Sequence, residues 1–557
     1  MGPKQRKRPL SFSQRSRLSR REAMVRTAGA GVGIASAGAL MPQGVSAAHA
    51  WAAARLQSEG EGVYGGRLRV GILGEPQTLD AHQTTATVVA EVVFPMYETL
   101  FAYDADYQPI PHLVESYTPS EDGLTHTMTL RQGITFHNGE PMNAADIHAS
   151  VTRWGEISGV GQQLFEVVDE FVEVDETTIE FRLSRSYSPL LIALSNNTQG
   201  CTIHPKSVLD EAGTTPFTDD SQLIGTGPYM LSERQADAYI RMARFKDYVS
   251  RDEPTSGYGG ARYAYVDELE FIPVPDEAAR VAGLQAGDFH IAQQISNDQY
   301  EVLNQTPGIV AEIPPPARFE IFFLNWRSSL MSNLALRQAF QAALDHEPIL
   351  TAALSSSDFF RLDPGWMLQQ TAFHSTAGED HYNVNDPDLA RQKLEEAEYD
   401  GTPLRFLSTE ENPAYYNASV IAQQQLEAVG FVIDLQVSDQ ATLFERRAQE
   451  DAWEIFVTGH GLVPDPSQIV FVGGMGVYPG WWDSEESTAL VDELMSEPDF
   501  EVRYAIWEEL QQKIYTEIPA VKIGDEALAS YYAESIGGWV QQITHGVPYW
   551  NLWLNEG

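Results

Sequence analysis

Apolar and polar residues alternate along residues 67–73, 125–130 and 178–183, the period-two pattern of half-buried strands. Residues 320–324, Glu-Ile-Phe-Phe-Leu, predict a buried strand. Helical spacing takes over after Asn143, which caps a segment placing Asp146, Ile147, Val151 and Trp154 at turn-like intervals. Residues 278–286 predict a helix with Gly287 beyond its end, and 334–344 a helix with Leu336, Phe340 and Leu344 on one face. Residues 387–398 begin with Pro in a first turn, and 418–429 form a helix closed by Gly430 before a strand at 431–435. Residues 252–260, rich in Gly, Pro, Ser and Thr, read as a surface loop. Strands and helices interleaved in this way indicate an α/β fold class. No fixed-period repeat interrupts the pattern.

The first 50 residues follow a different rule. A basic leader containing Ser19, Arg20 and Arg21 runs into an apolar stretch at 28–41 and an exit ending Ala48-His49-Ala50. That order predicts a cleaved secretory signal, and the paired arginines make it a twin-arginine type. The apolar run is too short and too rich in Gly and Ala for a membrane span, which takes roughly 20 residues. No later stretch is long and apolar enough either, so no span is expected in the mature chain. A periplasmic protein is expected, with residues 51–64 as an N-terminal extension. About 500 mature residues exceed a single-core domain and call for at least two lobes.

Composition sharpens the picture. The leader carries nine of the 36 Lys and Arg and one of the 78 acidic residues, leaving 27 against 77 and a mature net charge of −50. Self-repulsion on that scale opposes a compact chain unless salt screens it, so a salty environment is expected. A polyanion repels phosphates, which excludes nucleic acid as a partner. Cys201 is the only cysteine: no intrachain disulfide can form, and no lipidated cysteine follows the signal. The sequence holds no G-x-S-x-G elbow, H-E-x-x-H, phosphate loop or cysteine pair, and its 13 histidines are scattered. No catalytic residue, metal site or cofactor is expected.

Six segments in order carry a family resemblance. They are Glu75-Pro-Gln-Thr-Leu-Asp80, Leu130-Arg-Gln-Gly-Ile-Thr-Phe-His-Asn-Gly-Glu-Pro141 with Ala144-Ala-Asp-Ile147, and Gly225-Thr-Gly-Pro-Tyr229. Leu336-Arg-Gln-Ala-Phe340, Asn385-Asp-Pro387 and Ile518-Pro-Ala-Val521 complete the order. Together they resemble the family 5 solute-binding proteins of ABC importers, the group with oligopeptide, dipeptide and nickel receptors. Read by themselves these segments are scaffold: Gly133 and Gly139 suit tight turns, and His137 is structural.

The resemblance implies a two-lobed periplasmic-binding-protein fold (type II) with two crossing hinge strands and an extra subdomain in the first lobe. Lobe I would comprise 65–95, 217–316 and 520–557, the extra subdomain 96–216, and lobe II 317–519. One crossing falls near 314–324 and the return near 519–524. The implied function is capture of a small solute, a peptide or amino-acid derivative, and delivery to an inner-membrane ABC permease. An oligosaccharide or opine-like cargo, or a chemoreceptor as partner, are the alternatives; a secreted hydrolase would need a nucleophile–base pair. A monomer is expected.

Ligand contacts are expected in the loops between lobes. In peptide-binding relatives an aspartate after Gly-Trp accepts the ligand's terminal ammonium, a charge-assisted bond. Here the passage reads Gly459-His460-Gly461-Leu462-Val463-Pro464-Asp465-Pro466, with His460 in place of Trp and Val463 near the expected Asp. Either Asp465 takes over through a shifted loop, or the ligand lacks that ammonium. Thr85 and Thr87, in the loop after the first strand, could pair with an extended peptide. Trp366, Tyr478, Trp481 and Trp482 could wall a pocket, while Trp326, Trp453 and Trp539 read as core. Arg318 stands beside a crossing strand, as a partner for a ligand carboxylate or within an ion pair.

Overall fold

The computed structural model describes residues 62–196, 198–540 and 547–555; the expected signal at 1–50 and residues 51–61 lie outside them. Two mixed α/β lobes are each built on one large sheet. The first sheet runs in the order Ile309–Glu312, Ser530–Ala533, Ile291–Ala292, Arg67–Ile72, Glu268–Pro273, Tyr239–Arg244, Tyr229–Gln235. Arg67–Ile72 is parallel to both its neighbours, and the outer pairs are antiparallel. Val70, Ile72, Leu269 and Phe271 face Val92, Met96 and Tyr549 in its core.

The second sheet runs Phe360–Arg361, Ala520–Glu526, Arg318–Leu324, Ile455–Gly461, Leu404–Ser408, Ile433–Val437. Its central strand Arg318–Leu324 is buried on both faces, as its apolar run dictates. Phe322 and Leu324 meet the helices Leu334–Ala343 and Pro413–Val429, while Phe319, Ile321 and Phe323 meet Trp366, Trp453 and Trp507. Such a two-sided position is why the strand shows no polar alternation.

The chain crosses between sheets twice, at 313–317 and again at 527–529. The return comes later than 519–524, because Ala520–Glu526 is buried along its whole length and pairs on both sides within the second sheet. The first-lobe tail therefore starts after Glu526 rather than at Ala520.

A four-stranded antiparallel sheet, Val114–Pro119, Thr125–Leu130, Thr178–Leu183, Val168–Asp175, forms the extra subdomain. Helix Ala144–Ile157 covers it, opened by a capping box in which Asn143 and Asp146 bond each other's backbone N–H. The family segments tie this subdomain to lobe I. Arg153 makes a bidentate pair with Asp80 at 2.6 and 3.0 Å, with both side chains buried. The Gly225 N–H donates to His137 Nδ1 at 3.2 Å and His137 Nε2 meets the Gly227 carbonyl at 3.0 Å, which fixes the ring tautomer. Arg337 donates to the carbonyls of Glu517 (2.8 Å) and Met331 (2.6 Å) in lobe II. These segments hold elements together.

The residues 252–260 are more firmly placed than their composition predicts. Tyr258 is buried against Phe94 and Trp550, and Arg262 stacks 4.1 Å over the Trp550 ring. Among the described residues, no helix is long and apolar enough to cross a membrane. Nor does any group of three or more His, Cys, Asp or Glu stand together as a metal site there.

Candidate functional site

A cleft of about 560 Å³ opens between the two lobes. From the first lobe and its subdomain come Thr85, Tyr103, Gln163, Tyr187, Asn196 and Gln199. From the second come the end of strand Ile455–Gly461 and the loop after it, through Ser467 and Gln468 to Tyr478. That size suits one small solute, within the roughly 300–1,000 Å³ usual for ligand sites.

The two walls touch. The Gln468 side-chain amide donates to the Tyr103 hydroxyl at 3.4 Å, and Gln163 donates to the Gly473 carbonyl at 3.4 Å. The Ser188 N–H also donates to the Met495 carbonyl at 2.8 Å, and its hydroxyl donates to the Glu497 carbonyl. The lobes are thus held together across the cleft.

Of the ten residues expected to bind ligand, Thr85, Gly459, His460, Gly461 and Tyr478 line this cleft. Thr87 begins the helix Thr87–Val93 and is not among the lining residues. Trp366 is buried within the second-lobe core, edge-on to Phe319 and Phe471. Trp482 is also buried, and its Nε1 donates to Glu517 Oε2 at 2.6 Å. Arg318 stands behind Gly459. It pairs with Glu526 at 2.9 Å and donates to the Tyr415 hydroxyl at 2.8 Å, while that hydroxyl accepts the Gly459 N–H. A Cβ at Gly459 would collide with the Arg318 and Tyr415 tips, so only glycine leaves this contact intact.

Asp465 is not among the residues lining the cleft. It is 2 % exposed and bound by the Arg503 guanidinium through both oxygens, with Ser467 Oγ donating to it at 2.6 Å. Burial alone would raise its pKa, but the Arg503 charge and these bonds outweigh it and hold the carboxyl below its usual range. Oδ1 accepts from Arg503, the Ser467 N–H and the Ser467 hydroxyl, and Oδ2 accepts from Arg503.

His460 stacks on Phe319 at 5.3 Å. Its Nε2 accepts the Val470 N–H at 3.2 Å, and its Nδ1–H faces the Gly461 carbonyl at 2.7 Å. Both nitrogens meet backbone groups, and the Ser467 hydroxyl in the same loop points to Asp465. The arrangement positions polar groups without setting an imidazole against a hydroxyl as base against nucleophile.

Residues that carried no sequence signal complete the site. Gln163, Tyr187, Asn196, Gln199 and Gln468 are uncharged and form no motif: Gln163 is on the helix Gly159–Phe165, the next three flank the helix Leu190–Ser195, and Gln468 is in the second lobe. Two of the lining atoms, Gln468 Oε1 and Thr198 Oγ1, are shielded from solvent and have no hydrogen-bond partner.

Comparison with known proteins gives the same architecture. Residues 108–473 match the profile described as bacterial extracellular solute-binding proteins, family 5 (middle). The chain is 26% identical over 474 residues to a probable peptide ABC transporter periplasmic-binding protein of Sinorhizobium fredii, covering 82% of this chain and 88% of that one. It is 24% identical over 480 residues to the glutathione-binding protein of Pectobacterium atrosepticum, covering 83% and 89%. Among solved structures, the ABC transporter substrate-binding protein CtaP of Listeria monocytogenes aligns with a TM-score of 0.75 at 22% identity, covering 88% of this chain and all of that one. The oligopeptide-binding protein AppA of Bacillus subtilis, solved with a nonapeptide, aligns at 0.72 and 20% identity, covering 89% of this chain and all of that one.

Proposed function

Since the chain belongs to family 5 of the bacterial extracellular solute-binding proteins, we propose that it is the periplasmic receptor of an ABC importer. It captures a peptide or amino-acid derivative between its lobes and delivers it to a membrane permease. The observation that carries this reading is the cleft of about 560 Å³ whose two walls belong to different lobes. Closure follows from differential affinity: the solute contacts both walls only in the closed form and so shifts the population toward it. No bond is made or broken. The peptide and glutathione receptors among its relatives support a peptide-like cargo.

Thr85, Gly459, His460, Gly461 and Tyr478, joined by Gln163, Tyr187 and Gln468, are the contacts in this reading. Lobe I spans 65–95, 217–316 and the chain after Glu526; the subdomain spans 96–216 and lobe II 317–526. Export uses the twin-arginine leader. Mass spectrometry of the solute that co-purifies with the protein from its native host tests the reading. It predicts one intact small molecule per chain, whereas a set of cleavage products would show an enzyme.

The acidic excess carries a second element of the proposal, a salty working environment. The described surface pairs acids with few cations, and only five lysines remain after residue 50. Raising salt toward 1 M shortens the screening length to about 3 Å and suppresses the self-repulsion. Unfolding midpoints measured from low to molar potassium chloride are expected to climb steeply; a flat response would remove this element.

A further inference from the structure

We infer that the cargo meets the cleft as an uncharged, hydrogen-bonding solute with no free ammonium or carboxylate to be paired there. This deepens the receptor reading and rests on it. Among the described residues lining the cleft there is no Asp, Glu, Lys or Arg, in a chain with 78 acidic residues. The lining consists of hydroxyls, amides, glycines and apolar side chains, plus His460, whose Nε2 accepts a backbone N–H.

Charged side chains beside the second-lobe wall are turned toward the protein itself. Asp465 lies in the same loop but turns away into Arg503, and Arg318 behind Gly459 is paired with Glu526. Arg447 stacks 4.2 Å over the Phe444 ring and lies 5.9 Å from the Tyr478 ring. A zwitterion entering this space would lose water from two charged ends and find no countercharge, which disfavours it strongly.

What the cleft does offer is neutral. Gln468 Oε1 and Thr198 Oγ1 are shielded and unpartnered, so each keeps hydrogen-bonding capacity that a side-chain rotation would turn toward a solute. A buried acceptor without a donor is unfavourable, and a solute N–H or O–H removes that penalty on binding. Gln468 is well placed for selection, because its amide already reaches Tyr103 on the opposite lobe. A solute donating to its oxygen joins a contact made only when the lobes are together. Peptides with capped or cyclised ends and neutral oligosaccharides share this chemistry.

The test is a competition on the stripped mature chain in about 1 M salt, where long-range attraction of cations by the acidic surface is screened. The probes are an equimolar mixture of tri- to pentapeptides with free ends, the same peptides N-acetylated and C-amidated, and neutral tri- to pentasaccharides. Bound material is recovered after gel filtration and counted by mass spectrometry. We expect capped peptides or saccharides to exceed free-ended peptides by about tenfold or more, the dominant arm naming the source. Dominance of free-ended peptides overturns the inference and leaves the receptor reading standing. A protein that emerges empty from every arm overturns the receptor reading, and this inference with it. Val463→Asp, which adds a carboxylate to the lining, is expected to shift retention toward free-ended peptides; no gain would contradict the claim that missing charge sets the preference.

Discussion

Replacing Asp465 by alanine is expected to cost about 3–5 kcal/mol of stability, the usual effect of leaving one member of a buried ion pair unpaired. Arg503 would be stranded, since both of its bonds to Asp465 vanish and its side chain is 8 % exposed. Urea unfolding measures this as a lower midpoint. Replacing both partners together, Asp465→Leu with Arg503→Met, is expected to recover most of the loss, because two apolar groups leave nothing unpaired. A solute-contacting role would give the opposite pattern: near-normal stability with lost affinity in the single variant. The pair also fixes an acid limit. Its folded pKa lies below the ordinary 3.8, so its contribution is present above that value and disappears as pH falls through the lower folded value.

The second large effect lies on the crossing strands and runs the other way with pH. Glu320 and Glu526 are buried beside a single guanidinium, that of Arg318. Glu526 holds Arg318 at 2.9 Å, while neither Glu320 oxygen has a partner. Burial, then the Glu526 charge, pushes the Glu320 carboxyl up to about 8, so it remains protonated at neutral pH. A raised carboxyl favours the folded state fully below the unfolded value near 4.5, and that advantage drains as pH rises toward 8. The wild-type protein should therefore lose stability as pH rises from about 4.5 to about 8. Glu320→Gln, which mimics the protonated form, should flatten that loss by an amount on the order of a few kcal/mol at high pH. Unfolding midpoints across the pH range measure it, and parallel profiles for the two proteins would rule the assignment out.

Patterns that depend on neighbours in sequence were readable before the fold was known. The capping box at Asn143, the left-handed Gly287 ending Glu277–Ala286, and the buried strand at 320–324 are each dictated locally. The helix Pro413–Val429 starts earlier than its apolar spacing suggests, because Asn412 caps it and Pro413 opens it. The strand expected at 431–435 starts instead at Ile433, since Phe431 drops into the lobe core straight after the left-handed Gly430.

The site was harder to read because its decisive facts are non-local. Gly459, His460 and Gly461 stand out as a departure from a family passage, and the structure brings them to the cleft. Nothing near Asp465 in sequence announces Arg503, 38 positions away, as its partner. Trp366 and Trp482 carry the same aromatic character whether they wall a pocket or fill a core; only packing distinguishes the two. Gln163 and Gln468 belong to elements some 300 residues apart, and an uncharged amide leaves no pattern.

The central claim is a clamp that shuts on its solute, and small-angle X-ray scattering tests it most directly. The mature chain is stripped of solute by partial unfolding and refolding, and measured alone and after adding back the co-purified molecule. A smaller radius of gyration on addition, with the molecule recovered chemically unchanged, is the predicted result. Identical scattering with and without saturating solute, or recovery of an altered molecule, would contradict it.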